Sequence, residues 1–93
     1  MTLRGKFTMK KIFESEFHTA FVYETVEKIH VYQIEDRIEF DMFDEMSHRE
    51  RCDCFDVFDE SEYEVAPGAR YRTYSFDYTS SHIIMYEHIS MNI

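Results

Sequence analysis

Residues 47–60 read SHRERCDCFDVFDE, and they separate an all-β chain from one that mixes helix with sheet. Ser47 and Glu50 have the spacing of a capping box. The Ser hydroxyl can accept from the Glu50 N–H while the Glu carboxylate accepts from the Ser47 N–H. On a helical wheel, Cys54, Val57 and Phe58 cluster, flanked by Phe55. Asp53, Asp56 and Glu60 gather opposite, beside Arg49. A strand reading fails because neither alternate set of residues is apolar. The spacing predicts a helix over about 48–60.

On either side of this stretch the apolar period is two. From Phe13, the residues Phe13, Ser15, Phe17, Thr19, Phe21, Tyr23 and Thr25 fall on one side and Glu14, Glu16, His18 and Glu24 on the other. That is strand alternation, although Phe13, Phe17, Ala20 and Phe21 also fit a helix, so residues 12–26 stay open between the two. Residues 29–34 and 37–43 are two β-rich runs split by Glu35-Asp36, which reads as a hairpin. Its second strand would point Ile38, Phe40 and Met42 inward and Arg37, Glu39 and Asp41 to solvent. Downstream, Ala66-Pro67-Gly68-Ala69 suits a type II turn, because Pro pre-sets φ and Gly accepts positive φ. Arg70–Tyr78 alternates again. Residues 82–90 are apolar on both sides, as in a central strand. The expected fold class is α+β: a mainly antiparallel sheet of about five to seven strands packed with one α-helix. Residues 1–8 show no pattern and are expected to be a disordered tail; residues 9–93 form a single domain.

Charge narrows the function. Nineteen acidic residues against ten basic ones give a net charge of −9. Residues 35–64 carry thirteen of the acids against three arginines, more than the whole net charge. Such a chain repels nucleic-acid phosphates and anionic membranes and is drawn to basic partners. Aromatic residues make up 17% of the chain, which argues against acidic disorder. Two cysteines are too few for a disulfide framework, and no signal peptide or membrane-spanning run is visible. A cytoplasmic protein is expected.

The chemical motifs are sparse. His48 lies four residues before Cys52 and could share a helical side with it. Cys52 and Cys54 would point about 200° apart on a helix and could not share a metal. A structural zinc site needs about four ligands with recognisable spacing, so the cysteines read as small core residues and no metal or cofactor is expected. Asp53, Asp56 and Asp59 lack the glycine and odd-position spacing of a calcium loop. Ser80-Ser81-His82 has no third group to complete a triad, and no phosphate-binding loop or nucleophile elbow occurs. The chain is expected not to be an enzyme. Arg70, Arg72 and Tyr74 share a strand face of the kind that stacks bases, but at this net charge the arginines are expected to pair with carboxylates.

The acidic surface remains. Asp53, Asp56 and Glu60 recur at each turn of the expected helix. Glu39 and Asp41 would lie about 6.6 Å apart on a strand, of the order of phosphate spacings. In size and charge, though in no motif, the chain is similar to the DNA-mimic inhibitors that phages encode. The expectation is a small acidic inhibitor, phage- or mobile-element-encoded, that occupies the basic, nucleic-acid-binding surface of a partner protein without touching nucleic acid or membrane. Glu39, Asp41, Asp44, Glu45, Asp53, Asp56, Asp59, Glu60, Glu62 and Glu64 would carry the contact. The alternative is an assembly module that uses apolar contacts such as Phe43, Tyr63 and Tyr71, its acids serving only solubility. Edge strands of a small sheet can pair with another copy, so a homodimer fits either reading.

Overall fold

The computed structural model describes residues 9–20, 24–35 and 37–92; the expected tail over residues 1–8 lies outside them. The architecture is α+β, with four antiparallel strands and two short helices among the described residues. The strands are β1 (Met9–Ala20), β2 (Glu24–Ile34), β3 (Arg70–Tyr78) and β4 (His82–Met91). Their order across the sheet is β1-β2-β4-β3. Helices α1 (Arg37–Glu45) and α2 (His48–Cys54), with a 3-10 turn at Glu60–Glu62, join β2 to β3. β2 and β3 both run antiparallel to β4 and therefore parallel to each other. Parallel strands need a crossover connection, and the two helices provide it on one face of the sheet.

That face holds the core. Phe43 and Ile83 are completely buried, with Ile34 and Met46 beside them. Phe43 meets Phe55, Phe76 and Tyr78 edge-on, at centroid distances of 6.1, 5.8 and 5.9 Å. Such edge-to-face contacts suit the ring quadrupole. The Arg51 guanidinium lies over the rings of Phe43 and Tyr78. It also donates to the carbonyls of Phe43 and Asp44 at the end of α1. One side chain of α2 thus closes the C-terminus of α1, where a cation is favoured.

The last two strands lie where the alternation places them, and β4 is central. The turn before β3 is the expected one: Gly68 has φ +82°, and the Ala69 N–H donates to the Ala66 carbonyl. The strand count is corrected from five to seven down to four, because residues 37–45 are a helix and not the second arm of a hairpin. Arg37–Met42 alternates, but Met42, Phe43 and Met46 are apolar at helical spacing. Phe43 and Met46 are buried while Asp41, Asp44 and Glu45 are exposed. Only a helix puts those residues on those sides.

The expected helix over 48–60 stops at Cys54. Asp56 adopts φ 58°. The Val57 N–H donates to the Cys52 carbonyl and the Asp56 N–H to the Asp53 carbonyl. This is a Schellman ending, with Val57 packed near Cys52, and aspartate stands where glycine is usual. The wheel drawn for 48–60 fails past this point, and Phe58 is 58% exposed. Left-handed backbone suits Asp but not a β-branched residue. Asp56→Val is therefore expected to lower the unfolding free energy by about 1–2 kcal/mol, measured by denaturant titration.

Candidate functional site

The site grows from the start of α2. The capping box is present: the Glu50 N–H donates to Ser47 Oγ and the Ser47 N–H donates to Glu50 Oε1. It fixes His48 as the first helical residue and sets Cys52 one turn later on the same side. The Schellman ending then reverses the chain and returns Asp59 to that side. His48 Nε2 lies 2.7 Å from Asp59 Oδ2 and 3.7 Å from Cys52 Sγ. The three donor atoms all fall within 4.8 Å of one another. His48 and Cys52, with Asp53, Val57 and Tyr63, line a cleft of about 80 Å³ there. That volume holds a few waters, not a drug-sized ligand.

Asp59 is the anchor. Its side chain is only 7% exposed. One oxygen accepts from the Ser61 N–H and hydroxyl, the other from the Tyr74 N–H as well as facing His48. Burial alone would raise this carboxyl. Hydrogen bonds from the Ser61 hydroxyl, His48, and the backbone N–H groups of Ser61 and Tyr74 outweigh it and bring the carboxyl from 3.8 to about 2.

Cys52 and Cys54 are both thiols. They diverge, as the wheel expects: Cys52 is buried beside Tyr74 and Met85, and Cys54 faces Met46. Burial, then Asp53 and Glu50, push the Cys54 thiol up to about 11.

The ten acids of the expected contact surface divide. Asp41, Asp44, Glu45, Asp53, Asp56 and Glu64 are exposed. Asp44 also accepts from the Tyr78 hydroxyl. Asp59 is buried, and Glu60 is half-buried and accepts from the Arg72 N–H. Those two serve the fold. The side chains of Glu39 and Glu62 lie outside the described residues. Glu39 and Asp41 sit on a helix, so the strand spacing drawn between them does not apply. Of the aromatics expected to make apolar contacts, Phe43 is wholly buried, whereas Tyr63 is 50% exposed and stacks on Phe58. Arg72 reaches to within 4.0 Å of Glu87, the carboxylate pairing expected for that strand.

The His48–Cys52 spacing was readable in the sequence; Asp59 as their neighbour was not. Its approach depends on a left-handed residue that no glycine announces. Among the described residues, no helix is long and apolar enough to cross a membrane. Compared with protein-family models, curated proteins and solved structures, the chain matches none.

The Asp59 carboxyl titrates below its ordinary value in the folded state. Its contribution, roughly 2 kcal/mol for a shift of this size, is complete above its ordinary value of 3.8 and disappears as pH falls through about 2. Asp59→Asn is expected to lose about that much stability at neutral pH and to flatten the acid limb. Denaturant unfolding of both proteins at neutral pH and through the acid range measures this.

Proposed function

We propose that the protein is an acidic binding protein that occupies a basic, nucleic-acid-binding surface of a partner and so competes with nucleic acid. The observation that carries this reading is an excess of exposed carboxylates on the helical layer. It exposes Asp41, Asp44, Glu45, Glu50, Asp53 and Asp56 against Arg49. Arg51, by contrast, is turned inward onto two rings and two carbonyls. Beside these acids the exposed Phe58–Tyr63 stack offers an apolar anchor, with centroids 5.0 Å apart. Aromatic anchors ringed by charge are common where a few residues dominate binding. Carboxylates around them would steer association with a basic surface and make it salt-dependent.

The test is capture from bacterial lysate on immobilised protein, comparing wild type with Asp41→Lys/Glu45→Lys/Asp53→Lys. A basic protein is expected to be retained at low salt and released by high salt or duplex DNA. The charge-reversed protein is expected to retain at least about tenfold less. Equal retention by both proteins, or capture indifferent to DNA, overturns the reading.

A second reading, assembly through apolar contacts, is favoured by the sheet face that the helices leave bare. Phe13, Val31 and Ile84 form one row across it, ending at Asp77 on the β3 edge, and Ser15, Ile29, Tyr86 and Ser75 the next. Phe13 and Phe17 are 55% and 53% exposed. The occupant that suits this face is a second copy of the chain. Two bare faces would meet with both acidic layers turned outward, as in an aligned sandwich. The four strands span roughly 600 Å² per copy, near the ~800 Å² per partner of a standard interface. Wild type is expected to sediment as a dimer and Phe13→Asp/Phe17→Asp as a folded monomer. A monomeric wild type throughout the micromolar range overturns it.

A further inference from the structure

We propose that His48, Cys52 and Asp59 form a binding site for a soft divalent cation, with zinc the best fit. The three donors are an imidazole nitrogen, a thiol sulfur and a carboxylate oxygen, the set that zinc accepts. They converge from two separate pieces of chain. His48 and Cys52 come from successive turns of α2, and Asp59 from beyond the chain reversal. Around a tetrahedral zinc, bond lengths near 2.0–2.3 Å place ligand atoms about 3.3–3.6 Å apart. The Nε2–Sγ separation of 3.7 Å already meets that, and the Nε2–Oδ2 pair at 2.7 Å must open by about half an ångström. The movable partner is His48, whose side chain is 42% exposed.

The supporting groups are those a metal ligand needs. A ligating carboxylate is held by outer hydrogen bonds that fix its orientation. Asp59 has them from the Ser61 N–H at 2.9 Å and the Tyr74 N–H at 3.2 Å. Both come from backbone that is itself fixed, one in the 3-10 turn and one in β3. The thiol of Cys52 sits in an apolar cluster with Tyr74 and Met85, which restricts solvent on that side. The cleft on the other side leaves the fourth coordination position to a water. Binding replaces the His48–Asp59 contact with two metal bonds. The Cys52 thiol proton leaves to solvent as the sulfur–metal bond forms. Cys54 takes no part, because it faces Met46 in the neighbouring cluster. The site stands independently of the acidic-surface and assembly readings.

The experiment titrates untagged, reduced protein with cobalt(II), then displaces it with zinc(II). Wild type and Cys54→Ser are expected to take up one cobalt each, with the charge-transfer absorption of a cobalt–thiolate bond, and to give it up to zinc. Cys52→Ser is expected to lose that band. His48→Gln, at an exposed position where the fold is least at risk, is expected to bind at least ~100-fold more weakly, since even outer partners contribute 10–100-fold. The proposal is overturned if wild type shows no thiolate band, if the band follows Cys54 in place of Cys52, or if His48→Gln binds like wild type.

Discussion

Strands β2 and β3 flank β4 and run parallel, so the chain between them must cross the sheet. A crossover can lie on one face only, and here it consists of the two helices. Most of the molecule's asymmetry follows. The covered face acquires Phe43, Ile83 and the aromatic cluster around them. The other face keeps its phenylalanines in water. Asp41, Asp44, Glu45, Glu50, Asp53 and Asp56 go with the crossover and stay exposed. The exposed phenylalanines of β1 thus lie on the bare face and the exposed helical acids on the other side, with no need for a separate acidic domain.

The same crossover must bring the chain back to the edge of the sheet, and it does so with carboxylates. β3 pairs only with β4, so one side of its backbone lacks a strand partner. Glu60 and Asp59 accept from the Arg72 and Tyr74 N–H groups on that side. Two donors that could recruit a foreign strand are thereby occupied. Acidic residues in this chain therefore have two kinds of role. Some face water on the helices; Asp59 and Glu60 are built into the sheet margin, and Asp59 also orients His48.

Sequence periodicity was sufficient where strands carry a clear apolar alternation and turns carry Pro-Gly. Residues 70–91 fold as their pattern dictates, and the capping box at Ser47 starts α2 where the spacing places it. It failed at residues 37–45, whose first six alternate as a strand would. The helical signal lies in Met42, Phe43 and Met46, and it acquires meaning only when Phe43 meets the sheet. It failed again at the end of α2. An aspartate in left-handed backbone looks like any other acid in a run of acids. With that reversal unseen, His48 and Cys52 had no third partner, and Asp59 was read as surface.

Residue 12 gives β1 a tolerance that its regular positions lack. The pairing of β1 with β2 slips between Lys11 and Phe13, so Ile12 is an extra residue in the ladder. Met9 and Lys11 lie opposite Ile34 and Tyr32 on the helix side, while Phe13 and Phe17 face away. Side-chain facing beyond such a bulge is fixed by residue count, with a period of two. Deleting Ile12 would heal the ladder with its pairs kept, Lys11 opposite Tyr32 and Phe13 opposite Val31. Met9 would stay on the helix side and the phenylalanines on the bare face, because Lys11 and Phe13 already face opposite ways. A one-codon deletion at a regular position of β1 has no spare residue to absorb it, and would reverse the facing on one side of the cut.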